Sequence, residues 1–454
     1  MRKSSGKAKN PRAICLEILN QIEKRGDHLD RLLSDSFKRY RHLHSLDRAF
    51  LTELAYGILR WRERLDWVIR HFSDIPFEKI DREILNILRL GLYQLQFLSK
   101  IPYSAAVHEA VELAKRYRGQ KGAGFVNALL RSFIREKDHI SYPDIHQDEA
   151  LHLSILYSHP LWVVRRWIQV FGFDQTLRIC NFNNQISPLV LRTNTLKMDR
   201  EELLKRLKEK GLSPFPTPVS REGILLNSPP PVSELPFLKE GYFIIQDEAS
   251  QCVASIVDPR PGERILDACA SPGGKTTHLA QKMKDTGEIY ALDLTKEKLR
   301  RIQELCHRLG IKMVKTILGD ATKPLPKSLL FDRILADVPC SGFGTLRRNP
   351  DLKWRRKEED LRRLSELQLV ILENLSSYLK IGGILVYSTC TVFCEENEEV
   401  IERFLGNHSE FRLDPLEEVL PPEYHPFIHQ VFFKTFPSKD EMDGFFVARL
   451  KKIG

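Results

Sequence analysis

This chain has no apolar stretch approaching the ~20 residues that span a bilayer, no apolar segment behind the basic residues Arg2, Lys3, Lys7 and Lys9 at its start, and no Cys-x-x-Cys. The first absence argues against a membrane protein and the second against a secretory signal. The third, with eight cysteines scattered over 454 residues, argues against a disulfide framework and against a zinc site. Reduced thiols in a cytoplasmic protein without a bound metal are the expectation. The dinucleotide fingerprint Gly-x-Gly-x-x-Gly is also missing. What remains is enough for real cores, at 42% hydrophobic residues, with Lys and Arg outnumbering Asp and Glu by 70 to 60. The resulting charge of +10 is compatible with a polyanionic partner, although many proteins with so modest a surplus touch no nucleic acid. The length implies about three domains.

Residues 1–138 read as all-helical. Ile14, Ile18 and Ile22 recur at four-residue spacing, and Ile84, Ile87, Leu88, Leu92 and Leu95 mark one face of a second helix. Asp47 is a candidate cap for the helix carrying Phe50, Leu54, Ile58 and Leu59. Residues 139–160 weaken into a polar, His-rich connector. Residues 150–240 read as a small α+β module: a short helix with Trp162 and Trp167, strands at 189–194 and 223–226, a helix at 200–210, and prolines 214, 216, 218, 229, 230, 231 and 236 punctuating loops. From 245 to 454, strands at 264–270, 288–294, 313–318, 331–338 and 383–388 alternate with helices at 274–283 and 296–309. That alternation predicts a parallel, Rossmann-like α/β sheet with helices on both faces, closed by an antiparallel pair at 430–436 and 445–450.

The first strand of that sheet runs into Cys269, Ala270, Ser271, Pro272, Gly273, Gly274 and Lys275. A glycine pair there lets a ligand approach the backbone beyond the carboxyl end of the strand. The Gly-Lys-Thr tail fails as a P-loop, because the required glycine five residues before Gly274 is Cys269. Asp293 ends the second strand, where an acid accepts from ribose hydroxyls, and Asp320 follows the third, placed for an adenine amino group. A nicotinamide cofactor suits Asp293 as well. Without the glycine fingerprint, S-adenosylmethionine is the better reading, and a helix cap is the plain alternative for either aspartate.

Two further cysteines sit at predicted strand ends, Cys340 in Ala336–Ser341 and Cys390 in Tyr387–Thr391. Neighbouring strands of a sheet lie about 5 Å apart, so both thiols can face one substrate. Such a pair points to a pyrimidine ring, whose carbon 5 becomes nucleophilic only after a thiolate adds to carbon 6. A free thiol is a few per cent ionised at neutral pH, and Lys275 is a candidate cation for raising that fraction. Asp337 is placed to hydrogen-bond the base edge. Cys269 is expected to pack beside the cofactor loop, and Cys15, Cys180, Cys252 and Cys306 to be core or surface residues. Cys394 lacks a nearby His or third Cys for a metal. The loop Gly342–Arg356, with Arg347, Arg348, Lys353, Trp354, Arg355 and Arg356, reads either as RNA-contacting or as a solvated helix start.

Taken together these segments resemble the Sun/Fmu (RsmB-like) family of bacterial 16S rRNA cytosine-C5 methyltransferases over nearly the whole chain. The resemblance rests on Asp47-Arg48-Ala49, Gly57–Arg60, Leu88–Gln94, Ile101-Pro102 and Phe125–Arg131, which are similar to the antitermination factor NusB. It continues through Ser158-His159-Pro160, Leu191–Asn194 and Gln246–Ser250, and then through the cofactor loop, Pro339-Cys340, Thr389-Cys390 and Asp443–Phe446. The family usually has Cys-Ala-Ala-Pro-Gly-Gly-Lys, and Ser271 replaces the second alanine here. The resemblance implies a NusB-like RNA-binding domain at 1–138, an RNA-binding module at 150–240, and a methyltransferase domain at 245–454. It implies S-adenosylmethionine held by residues 269–275, Asp293, Asp320 and Asp337, with Cys390 as nucleophile and Cys340 assisting its release. The implied substrate is 16S rRNA; nothing in the sequence demands a dimer, and a monomer is the expectation. A tRNA or another rRNA as substrate, a DNA enzyme using Cys340 as nucleophile, and a non-catalytic RNA-binding or antitermination factor are the competing readings.

Overall fold

The alternation of apolar residues in the second half of the chain governs its architecture. The computed structural model describes residues 10–227, 229–326 and 328–454, so Arg2, Lys3, Lys7 and Lys9 lie outside the described residues. The chain divides into two compact units, Met1–Gln185 with Leu346–Arg355, and Ile186–Thr345 with Arg356–Gly454.

The first unit is helical. Ile14, Ile18 and Ile22 on helix Pro11–Arg25 pack with Ile84, Ile87, Leu88 and Leu92 on helix Arg82–Phe97, all buried in one core. Asn10 caps the first of these helices by accepting from the Ala13 N–H, and Gly26 ends it with φ 67°. Asp47 does not cap its helix: Ser45–Arg60 starts after His44, which leaves Asp47 in the first turn, where its charge still meets the positive end of the helix. The expected polar connector contains a helix, Glu149–Leu156, because Asp148 caps it through the Leu151 N–H. Leu161–Phe171 and Phe173–Asn183 follow. Arg89, 2% exposed, grips both oxygens of Asp66 at 2.6 and 2.7 Å and Glu23 at 2.5 Å, a buried ion network at the centre of the helices.

The second unit holds two sheets. In the smaller one β1 (Leu189–Thr193), β2 (Pro214–Pro216), β3 (Gly223–Leu226) and β4 (Phe243–Ile245) run in the order β2-β3-β1-β4 with antiparallel pairing. Pro214 and Pro216 thus lie in a strand rather than a loop; β2 is an edge, where a missing N–H costs no ladder bond. Helix Arg200–Glu209 covers this sheet through Leu203, Leu204 and Leu207.

The larger sheet comprises β5 (Arg264–Ala268), β6 (Glu288–Asp293), β7 (Val314–Leu318), β8 (Phe331–Asp337), β9 (Leu379–Thr389), β10 (Phe411–Leu413), β11 (Ile428–His429), β12 (Phe432–Thr435) and β13 (Phe445–Lys452). Its order is β11-β12-β13-β9-β8-β5-β6-β7, with β10 on β13, parallel from β9 to β7 and antiparallel beyond. Period-two alternation sends Ile265 to the core beneath helices Glu248–Val257, Gly274–Lys282 and Lys296–Leu309, and Leu266 to the opposite core beneath Glu359–Ser376 and Glu398–Asn407. Both residues are fully buried, each worth roughly 2 kcal/mol. Strand order reverses at β5, which opens a crevice at the carboxyl ends of β5, β6 and β8.

Candidate active site

The loop leaving β5 is shaped by two left-handed residues, Cys269 with φ 61° and Gly273 with φ 100°. At Gly273 a side chain would be strained by that φ and would crowd Ile302, with its Cβ 3.3 Å from the Ile302 Cα. The Ser271 N–H donates to Asp293 Oδ2 at 3.0 Å, and Asp293 Oδ1 accepts from the Leu294 N–H and from Lys298 Nζ at 2.9 Å. Asp293 therefore ties the loop to the end of β6. Asp320, after β7, accepts from the N–H and hydroxyl of Thr322, and those bonds hold its carboxyl below the usual range. Asp267, fully buried on β5, accepts from the Thr276 hydroxyl at 2.5 Å while its Oδ1 has no partner, and burial pushes its carboxyl up to about 7. Cys269 packs beside them; burial, then the charges of Asp293, Asp337 and Asp267, push its thiol up to about 12.

Burial raises the thiols of Cys15, Cys180, Cys252 and Cys306, the last two of the four lying on helices Glu248–Val257 and Lys296–Leu309. Cys394 is partly exposed and its Sγ donates to Glu395 and Glu399.

This crevice fits S-adenosylmethionine. A buried carboxylate oxygen without a donor, ringed by further carboxylates, favours a ligand that is cationic or rich in N–H groups. The sulfonium, ammonium and adenine amino groups meet that demand, whereas a dinucleotide pyrophosphate would face the same negative charges.

The two thiols named in the sequence lie one strand away. β8 and β9 pair in parallel with Asp337 opposite Ser388, so the chain segments that follow them emerge side by side. Cys340 Sγ and Cys390 Sγ are 3.3 Å apart, and the Cys390 N–H donates to Cys340 Sγ at 3.3 Å. The sulfur of Cys390, burial, the Cys390 charge and Glu396 together raise the Cys340 thiol well above its ordinary value. Lys275 Nζ donates to Asp337 Oδ2 at 2.7 Å, and the Ser388 hydroxyl donates to Asp337 Oδ1 at 2.7 Å. The Lys275 ammonium is raised because Asp337 outweighs its burial, with Cys390 adding to the effect. Close approach fixes the floor of this site: a Cβ on Gly344 would lie 2.0 Å from the Gly444 carbonyl oxygen and 2.9 Å from that of Cys390, and the Gly344 N–H donates to Cys390 O.

The structure thus brings together Cys340, Cys390, Asp337 and Lys275, and gathers 269–275 with Asp293; Asp320 stands at the neighbouring strand end. Sequence reasoning missed Asp267, Ser388, Arg192, Gln368, Glu396 and Asn397. Asp267 and Ser388 lie inside the segments already singled out, and strand alternation was the available signal. Arg192 lies in Leu191–Asn194, a segment also singled out; for Gln368, Glu396 and Asn397 there was no signal. Arg192 is fully buried and donates to Gln246 Oε1 and Gly274 O, each at 2.5 Å, and to Thr277 Oγ1 at 2.9 Å, which fastens the small sheet to the helix of the glycine loop. Burial lowers this guanidinium to about 9.

The loop after Cys340 departs from both expectations at Lys353. Leu346–Arg355 belongs to the helical unit, where Lys353 Nζ, 1% exposed, donates to Ser158 O and Asn184 Oδ1 at 3.0 Å and to Arg60 O at 3.3 Å. The indole N–H of Trp354 donates to Leu59 O at 2.6 Å, and Arg347 stands 4.4 Å over the Phe182 ring. Lys353 is neither solvated nor available to a phosphate.

A Rossmann-like sheet with this crevice defines a methyltransferase that uses S-adenosylmethionine. Three family models match the chain: 16S rRNA methyltransferase RsmB/F over residues 254–451, the NusB family over 9–135, and the RsmF/B-like ferredoxin-like domain over 159–233. A probable ribosomal RNA small subunit methyltransferase B of Bacillus subtilis is 39% identical, covering 98% of this chain and 99% of its own. The ribosomal RNA small subunit methyltransferase B of Yersinia pseudotuberculosis is 34% identical, with 98% and 99% covered. Among solved structures, PH0851 is 30% identical with a TM-score of 0.82 over 99% of this chain and 100% of its own. NSun6 from Pyrococcus horikoshii, solved with the S-adenosylmethionine analogue SFG, is 26% identical with a TM-score of 0.57 over 64% and 97%. The chain belongs to the RsmB/F family of methyltransferases. Among the described residues no helix is long and apolar enough to cross a membrane.

Proposed function

We propose that this protein methylates carbon 5 of a cytosine in 16S rRNA through a covalent Cys390 adduct, and the observation that carries the proposal is the thiol pair at 3.3 Å. The names of the relatives, methyltransferases of the small-subunit RNA, support the substrate class. Residues 269–275, Asp293, Asp320 and Asp337 would hold S-adenosylmethionine, which supplies an electrophilic methyl group. Cys390 Sγ adds to carbon 6 of the ring and the former 5,6 double-bond electrons make carbon 5 nucleophilic. Asp337, held between Lys275 and Ser388, orients the base edge, and help of that kind is typically worth about 10²–10⁴ in rate. After carbon 5 is substituted its proton leaves to a base, the ring double bond reforms and Cys390 departs as thiolate, with Cys340 assisting. In this reading residues 1–138 and 150–240 bind RNA around a catalytic 245–454, in a cytoplasmic monomer that needs no metal.

The test is a denaturing gel for a protein–RNA adduct with unmethylated 16S rRNA and S-adenosylmethionine. Cys340→Ala is expected to accumulate an adduct that Cys390→Ala cannot form. An adduct lost with Cys340 alone would reverse the roles, and activity restored only by tRNA or another rRNA would move the substrate.

A further inference from the structure

The two thiols come from loops fifty residues apart in sequence, and a single turn reaches both. This turn, Cys394–Glu396 leading into Asn397, is itself buried at Glu396 and Asn397, which are 0% and 4% exposed. Glu396 Oε1 accepts from the Ser341 N–H at 2.8 Å, directly after Cys340, and from Gln368 Nε2 at 2.9 Å. The same Gln368 nitrogen donates to Pro339 O at 3.0 Å, directly before Cys340. On the other side, Asn397 Oδ1 accepts from the Thr389 hydroxyl at 2.5 Å and Asn397 Nδ2 donates to Thr391 O at 3.1 Å, bracketing Cys390. The Tyr387 hydroxyl, donating to Glu396 O at 2.6 Å, fixes the turn to β9, and the Ser341 and Thr391 hydroxyls meet at 2.8 Å between the loops.

We infer that Glu396 and Asn397 are positioning residues which clamp the Cys340 and Cys390 loops at sulfur contact, and that the Glu396 charge keeps the proton shared by the pair on Cys340. This inference rests on the two-thiol reading above. Such a buried pair cannot carry two negative charges, so one thiol holds a proton and the fields around it decide which. Cys340 has Glu396 on its side, and Cys390 has Lys275, whose charge is shared with Asp337. Arg356 tempers Glu396 while donating to the carbonyls of Cys340 and Ser341. The Cys390 N–H on Cys340 Sγ acts in the opposite sense and is outweighed by the Cys390 side chain and burial, with Glu396 adding a smaller share, so Cys340 is raised; burial, then Cys340 and Glu396, raise Tyr387 in the same pocket. Glu396 Oε2 is buried without a hydrogen-bond partner, and burial raises its carboxyl.

The experiment separates clamp from charge with Glu396→Gln, Glu396→Ala and Asn397→Ala in the full chain. Iodoacetamide labelling of each thiol is read by mass spectrometry over a range of pH without RNA. In the wild type Cys390 is expected to label first; in Glu396→Gln the midpoint for Cys340 is expected to fall by about half a pH unit, narrowing the gap between the two. An unchanged profile in Glu396→Gln overturns the charge role. With RNA, Glu396→Ala and Asn397→Ala are expected to lengthen the lifetime of the adduct about fivefold or more, and Glu396→Gln to restore it towards wild type. Equal lifetimes in all four proteins overturn the clamp. If Glu396→Ala does not fold, Asn397→Ala decides it. Labelling needs no substrate, so an absent adduct in the wild type sinks the two-thiol reading while the labelling result still stands.

Discussion

Lys275 and Lys353 are both withdrawn from water, yet they occupy opposite electrostatic situations. Lys275 meets the carboxylate of Asp337, and its ammonium is raised above the ordinary lysine range. Lys353 meets only neutral oxygens, the carbonyls of Arg60 and Ser158 and the amide of Asn184, and burial lowers it well below that range, with Arg60 adding to the effect. A buried ammonium without a counter-charge acts as a hydrogen-bond hub whose loss is felt by the fold. One with a counter-charge preserves a charge for the site. Burial and residue type alone therefore do not say whether a lysine works for chemistry or for structure.

The comparison breaks most severely with Lys353→Ala. Removing the ammonium leaves three oxygens unpaired around a cavity and is expected to destabilise the helical unit by about 3–5 kcal/mol, seen as a lower melting temperature. Thiol labelling at Cys390 in the protein that remains folded should be unchanged. Next in size, Lys275→Met is expected to lower the rate of methyl transfer about 100-fold, or ~2.7 kcal/mol of barrier, while melting shifts far less. A melting loss equal to that of Lys353→Ala would erase the distinction. The smallest effect is in pH dependence, where the two lysines have opposite signs. With Lys353 lowered on folding, the unfolded chain holds the extra proton between the folded value and about 10.4, so its contribution to stability rises with pH across that window. With Lys275 raised on folding, its contribution is complete below about 10.4 and is lost as pH climbs through the folded value. Stability of Lys353→Met and Lys275→Met, followed by denaturant titration from neutral to alkaline pH, should lose the rising and the falling component respectively.

Strands β5 to β9, β12 and β13 and the helix Lys296–Leu309 were legible because each carries a strong local period, whereas the two- and three-residue strands β11 and β10 are too short to show one. The helices Glu359–Ser376 and Glu398–Asn407 were passed over because their charged faces dominate the text of the sequence, although Leu369, Leu372, Val400 and Phe404 line a core. Cys340, Cys390, Asp337 and Lys275 could be named as a group from motif context. That Ser388 holds Asp337, or that Glu396 and Asn397 reach two separate loops, follows from no spacing along the chain.

By itself the sequence determined the alternating α/β order, the glycine turn that needs φ 100° at Gly273, and the presence of two thiols at strand ends, because each is written in local periods and in residue types with few conformational alternatives. Tertiary structure alone decided that the thiols touch, that Lys275 faces a carboxylate, and that Lys353, in the loop that follows Cys340, is buried in a helical core. Those outcomes depend on which strand pairs with which and on where a loop docks. Pairwise distance between residues far apart in the chain is set by the packing of the whole fold.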